Sequence, residues 1–313
     1  MQESLLAAVR VVIPMVLLMA LGVLARWKGF ADRPSMRQFD RLLFRLFMPA
    51  LLFKNIYEMD LSQGVDWGEM LFVAGSLLVI FLVGLLVPPR LVKERTKAAS
   101  IGQALIRSNY ILFGLAVAES LYGEGNVGSL ALLGSFVVPA SNALAAVILE
   151  WTLSGRARPL VILLSVLKNP MVVASMIAFG LLALPFRIPA LLWGVVRDMA
   201  GVATPLSFIS LGVGLDLKEA RGDRRPLLLG VGLRMVLVPL IFLPLSVMLG
   251  YRGPTLCSLL ILFASPTAVA SYPMAVAMGA DGQLAGQLVC ATTLLSILSI
   301  FLFTFTFLGL GLL

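Results

Sequence analysis

Two short polar clusters interrupt otherwise apolar stretches of this chain, and the chemistry must lie there. The first, Arg107-Ser108-Asn109, falls in the middle of IGQALIRSNYILFGLAVAESLYG, which runs from Ile101 to Gly123. An arginine at that depth of an apolar span costs at least a few kcal/mol unless it faces a cavity or a partner. The second lies in LLILFASPTAVASYPMAVAMG, from Leu259 to Gly279, where Pro266 and Pro273 are accompanied by Ser265, Thr267, Ser271 and Tyr272. Each proline removes a backbone donor, so some carbonyls lose their helical partners. Broken helices of this kind suit solute binding, because half-helix N-termini attract anions while freed carbonyls hold cations or polar groups. Asn142, beside Pro139 and Ser141, is a further candidate, with a helix-bridging amide as its alternative reading. Lys54 and Asn55 end an earlier apolar run and are placed to line an outer vestibule.

Other chemistries are excluded by the inventory. With no histidine in 313 residues, imidazole metal sites, Ser-His-Asp hydrolysis and histidine proton relays are all absent. Cys257 and Cys290 lie singly in apolar runs and read as small buried hydrophobes. Neither cofactor nor metal is expected. An intramembrane enzyme or a membrane ligand sensor is a remote alternative, since no HExxH or GxSxG motif and no signalling domain accompanies the spans.

The elements that position these clusters are transmembrane helices. A chain with 60% hydrophobic and 13% charged residues departs from soluble domains, in which about a quarter of residues are charged. At roughly 20 apolar residues per span, windows at 5-25, 37-57, 68-89, 98-122, 127-153, 165-184, 189-215, 225-249, 254-279 and 283-312 give ten helices. The net charge of +8 is scattered through short connections, so it reads as a topology signal beside anionic lipid, and nucleic acid is not a partner. Odd-numbered loops carry Arg26, Lys28, Arg33, Arg37, Arg90, Lys93, Arg95, Lys97, Arg156, Arg158, Lys218, Arg221, Arg224 and Arg225, whereas even-numbered loops carry only Arg187 and Arg252. The odd loops are therefore placed in the cytoplasm, and both termini outside an inner (plasma) membrane. Arg10, Arg41, Arg45, Glu150, Arg197 and Asp198 sit near span ends and read as snorkelling charges. Glu119 and Arg234 lie deeper, and each divides between an ion pair within the bundle and a role in transport.

Five spans is an odd number, so halves of common ancestry must be inserted upside down relative to one another. Pro49 precedes Asp60-Leu61 by eleven residues and Pro205 precedes Asp216-Leu217 by the same interval. Pro14-Met15-Val16 opens one half as Pro170-Met171-Val172 opens the other. Spans four and nine share a polar break, an Ala-Val-Ala (116-118 and 275-277) and a glycine-rich acidic turn (123-125 and 279-282). The division falls between a first five-helix repeat, 1-155, and a second, 156-313. Gly282 and Gly286 read as helix-packing positions.

At these residues the sequence resembles the auxin efflux carrier family, the bacterial relatives of the plant PIN auxin exporters. The matching stretches are MPALLFKNI from Met48, RSNYILFGL from Arg107, LKNPMVVASMIAFGLL from Leu167, ATPLSFISLGVGLDL from Ala203 and SPTAVASYPMAVAMGADGQLAGQLV from Ser265. The resemblance implies an all-α membrane protein of ten transmembrane helices in two inverted five-helix repeats, whose broken fourth and ninth helices cross. It implies a scaffold and a transport domain, each drawn from both repeats, and secondary active transport of a small organic anion by an elevator movement. On that reading Asn109 and Pro266 occupy the crossover positions, with Ser108, Ser265 and Asn142 nearby. Ser108 stands where the plant motif has a proline, which implies a softer first break. Gly114-Leu115-Ala116 replaces a glycine-leucine-proline, and Asp66 is the nearest counterpart of a proton-linked aspartate.

The leading reading is a carrier for a carboxylate or dicarboxylate, such as malonate, malate or an auxin-like acid, with Arg107 and the helix dipoles offsetting its charge. Its substrate-binding candidates are Arg107, Ser108, Asn109, Asn142, Ser265, Pro266 and Asn55. The alternative is a sodium- or proton-coupled carrier of another small solute, like a bile-acid symporter or a cation exchanger, with Asp66, Glu119 and Ser271 as coupling candidates. Partners are then the organic anion, the lipid bilayer, a coupling Na+ or H+, and a second copy of the chain in a homodimer.

Overall fold

The computed structural model describes residues 2-58, 66-122, 128-155, 159-182, 184, 188-214 and 224-313. Its elements are all helical. In chain order they are α1 (Gln2–Trp27), α2 (Arg33–Leu42), α3 (Met48–Tyr57), α4 (Trp67–Leu86), a short α5 (Pro88–Leu91), α6 (Arg95–Ile106) and α7 (Tyr110–Tyr122). There follow α8 (Gly128–Ser154), α9 (Pro159–Leu167), α10 (Pro170–Leu182), α11 (Ala190–Gly214), α12 (Arg225–Gly232), α13 (Val238–Met248), α14 (Gly253–Ala264), α15 (Ser271–Met278) and α16 (Gly282–Gly309). Among the described residues, four helical stretches are long and apolar enough to cross a membrane: Trp67–Leu91, Leu133–Ser154, Arg225–Met248 and Gly282–Gly309. Large apolar side chains such as Leu71, Leu191 and Met248 point outward, more than three-quarters exposed. Lipid is the solvent in which such a surface is stable.

Local sequence sets the helix ends. Asp32, Asp66 and Asp281 each accept a bond from a backbone N–H of the following first turn, at 2.8 to 3.1 Å. Gly279, at φ 83°, closes α15 in the left-handed conformation, which a Cβ would strain. Two π-helical turns, Leu43–Phe47 and Leu233–Leu237, join α2 to α3 and α12 to α13. Both lie just ahead of a proline, Pro49 or Pro239, whose ring presses on the carbonyl four residues back; a wider turn relieves that clash.

One span differs from the sequence expectation. The sixth window, 165-184, is two helices: α9 begins at Pro159, and α10 restarts at Pro170. Pro170 disfavours helical backbone at Asn169, whose side chain then caps α10 by accepting from Met171 N at 3.0 Å.

Two sets of helix contacts frame the site, and they adjoin one another, since α1 also packs on α7 and α16. In one, α1 lies along α11, and α3 packs on both α10 and α11. In the other, α6 packs on α4 and α8, while α14 packs on α13 and α16. The α1–α11 seam is backbone to backbone. A Cβ on Gly22 would press into the Ile209 carbonyl, and one on Gly212 into that of Met19. Gly22→Ala or Gly212→Ala is therefore expected to destabilise the protein by about 1 to 3 kcal/mol, read as a lowered melting temperature in detergent. Gly201→Ala, on an open face of α11, is the control and is expected to melt no lower than wild type. Gly282 and Gly286 instead face side chains, of Val276 and of Leu211 and Tyr272.

Candidate functional site

The two interruptions foreseen in spans four and nine lie against each other. Between α6 and α7 the chain is extended over Arg107 to Asn109, and between α14 and α15 over Ser265 to Thr267, where Pro266 holds Ser265 extended at ψ 159°. Ser108 and Thr267 form an antiparallel bridge. Its bonds run from Asn109 N to the Pro266 carbonyl (2.8 Å) and from Ala268 N to the Arg107 carbonyl (3.0 Å). Beside them the Ser108 and Ser265 hydroxyls meet at 2.5 Å. The first interruption is thus complete without a proline, because its backbone groups find partners in the second.

Backbone groups released at the interruptions are satisfied by side chains. Thr267 Oγ1 donates to the Ala104 carbonyl at 2.9 Å, and Thr292 Oγ1 accepts from Thr267 N at 3.2 Å. Arg234, buried in the π turn of span eight, donates through Nη1 to the Leu105 carbonyl (3.2 Å) and through Nη2 to the Leu262 carbonyl (3.0 Å). It also donates to the Ser265 carbonyl through Nε (3.2 Å) and Nη2 (2.9 Å). One guanidinium thereby caps the C-terminal ends of both half-helices, where the helix dipole is negative.

The Arg107-Ser108-Asn109 strand of the bridge borders a cavity of about 150 Å³, whose lining does not include Arg234. Its polar lining includes Asn55, Arg107, Ser108, Asn109, Tyr110, Ser141, Asn142 and Thr204, with Met48, Leu51, Leu52, Val138, Met171 and Val269 among its apolar walls. Among the described residues, Arg107 is the only charged one of that lining. Its Nη1 donates to the Ala270 carbonyl and to Met274 Sδ, both at 3.0 Å, which braces it across the second interruption. The Asn109 Nδ2 is buried with no hydrogen-bond partner among the described residues, and so is the Asn142 Oδ1. The Asn142 orientation is fixed, because its Nδ2 donates to the Val138 carbonyl at 2.8 Å. The first N–H groups of α7 have no partner within their own helix, and residues at that end, Asn109 to Ile111, line the cavity. Donors and the positive end of a dipole thus face the cavity, while the negative ends face Arg234.

Five of the seven binding candidates, Asn55, Arg107, Ser108, Asn109 and Asn142, share this cavity. Ser265 and Pro266 lie behind it, in contact with Ser108 and Asn109. Ser271 is buried, its carbonyl accepting from Gln103 Nε2 at 3.0 Å. Asp66 is exposed and caps α4. The Glu119 side chain lies outside the described residues. Lys54 pairs with Glu58 at 2.8 Å on a part-exposed helix face. Sequence reasoning passed over Asp40, a buried carboxylate that accepts from the Ser210 hydroxyl at 2.5 Å. Its signal was an acid inside an apolar window. The carbonyl partners of Arg234 carry no such signal.

A family model described as membrane transport protein matches residues 7-153 and 156-304, nearly the whole chain. An uncharacterized transporter of Methanothermobacter thermautotrophicus is 23% identical over 295 residues, covering 92% of this chain and 95% of its own length. Apolar helices, paired interruptions and these matches agree: the chain is a membrane-embedded transport protein, not an enzyme, and belongs to the membrane transport protein family, that of the auxin efflux carriers its motifs resemble.

Proposed function

We propose that this protein is a secondary active carrier of a small organic anion, a carboxylate or dicarboxylate, held between Arg107, Asn109 and the N-terminus of α7. The observation that carries the reading is the cavity lining, which among the described residues has one cationic side chain and no acid. A carboxylate requires donors, and Arg107, the unpartnered Asn109 amide and the α7 backbone offer them, while Asn142 offers an acceptor to a substrate hydroxyl. The volume is close to that of cavities known to hold a six-carbon ring.

The ten-helix, inverted five-plus-five arrangement is part of the proposal. Its support is the pairing of packing partners under a shift of five spans: α1 on α11 corresponds to α10 on α3, α4 on α6 to α13 on α14, and α6 on α8 to α14 on α16. The family model matches in two stretches that adjoin at 153-156, which supports a division of the repeats there. The cavity lies where α3, α10 and α11 meet the broken pair, so a slide of one helix group past the other would carry the site across the bilayer, as in an elevator.

Uptake of radiolabelled malonate, malate and an aromatic carboxylate into proteoliposomes, against amines of equal size and with imposed pH or sodium gradients, tests the function. Accumulation of carboxylates alone is expected. Transport of amines without carboxylates would replace the anion reading by a cation exchanger. Orientation has its own test, in a Cys257→Ala, Cys290→Ala background. Lys93→Cys and Trp67→Cys, both exposed, are expected to react with an impermeant maleimide from the cytoplasmic and the outer side respectively. Labelling of both from one side would remove the arrangement with both termini outside an inner membrane.

A further inference from the structure

We propose that Arg234 is the resident cation of the broken-helix pair and takes the place of a coupling sodium ion. The inference rests on the carrier reading of the site. Two half-helices that end side by side leave negative dipole ends and unbonded carbonyls in a low-dielectric interior. Carriers built on broken helices meet that demand by coordinating Na+ with such carbonyls, or with H+. Here the carbonyls of Leu105, Leu262 and Ser265 converge on a single guanidinium at 2.9 to 3.2 Å. Arg234 is 1% exposed, and each of these hydrogen bonds goes to a backbone carbonyl.

A guanidinium suits this task better than a hydrated ammonium. Its planar fork fixes several carbonyls at once, and it carries its charge permanently. Its stem is anchored in the π turn before Pro239, so the cation belongs to span eight and accompanies the two interruptions wherever they go. Sodium is then neither bound at the half-helix ends nor required there for folding of the site. Arg234 is not part of the cavity lining, in which Arg107 is the one charged side chain among the described residues.

Melting temperatures of the purified full chain in detergent test this without knowledge of the substrate. Wild type is expected to melt at the same temperature in sodium chloride and in choline chloride of equal ionic strength; a saturable, sodium-specific rise would overturn the proposal. Arg234→Ala is expected to melt at least about 5 °C lower, because several carbonyls lose their donors together. Millimolar guanidinium chloride should restore part of the loss, whereas equal choline chloride should not. A folded Arg234→Ala protein that ignores guanidinium would overturn the proposal. If Arg234→Ala does not fold, Arg234→Lys and Arg234→Gln decide: the lysine variant, which keeps a cation, should melt higher, and the reverse order would mean that charge is irrelevant. Malonate uptake by wild type in sodium-free proteoliposomes reads the carrier function separately, so a chain that is no carboxylate carrier at all is recognised by failure of uptake alone.

Discussion

Carboxylate affinity is expected to fall about ten- to a hundredfold in Arg107→Gln, measured by calorimetry with malonate on the purified protein. A hydrogen bond to a charged group contributes about 1.5 to 3 kcal/mol, roughly twice a neutral one. Arg107→Lys keeps the charge and loses the fork, so it should recover only part of the affinity. The brace from Nη1 to the Ala270 carbonyl and Met274 makes the arginine the better-positioned cation. Were the solute a cation, the same substitution would leave affinity unchanged or raise it. Unchanged malonate affinity in Arg107→Gln would leave Arg107 a strut between α6 and α15.

Asn109→Ala should reduce transport of the same carboxylate by about five- to a hundredfold while leaving the melting temperature near that of wild type. The first part follows from loss of one substrate hydrogen bond, about 1 to 3 kcal/mol. The second follows from the structure. The bond from Asn109 N to the Pro266 carbonyl is made by backbone and survives the substitution, and the deleted Nδ2 has no partner among the described residues. Ser108→Ala is different in kind, because it also removes the hydroxyl contact with Ser265 that ties the two interruptions. Wild-type uptake by folded Asn109→Ala protein would move the site elsewhere.

Much of this was legible in the sequence because membrane spans are read by length and apolarity, and a polar cluster inside one has few explanations. The windows for spans seven and ten agree with α11 and α16 to within a few residues, and the interruptions in spans four and nine fall where Arg107-Ser108-Asn109 and Ser265-Pro266 predict. Five cavity residues were nameable for the same reason. Ser265 and Pro266 belong with them as the matching break in the other half, but they are not part of the cavity wall and instead meet Ser108 and Asn109 through the hydroxyl contact and the backbone bond. Two features left weaker traces. The break between α9 and α10 falls at Lys168-Asn169-Pro170, a short polar interruption that the apolar window 165-184 absorbs. The role of Arg234 depends on carbonyls 28, 31 and 129 residues away, and a backbone acceptor has no residue type to recognise. Asp40 and Ser210, 170 residues apart, are hidden by the same distance.

The proposed preference of the cavity for anions can be measured without knowing its occupant. Thr204 lines it from α11, so Thr204→Cys in the Cys257→Ala, Cys290→Ala background gives a near-isosteric thiol in its wall. A unit charge about 6 Å from a guanidinium at an effective dielectric of about 20 interacts by about 3 kcal/mol. Rates of modification by a negatively charged and a positively charged methanethiosulfonate, each normalised to a free thiol, should therefore differ more than tenfold in favour of the anion. That preference should collapse when Arg107→Gln is added. Preference for the cationic reagent, or a preference for the anion that survives loss of Arg107, would contradict the assignment of this cavity as the anion site.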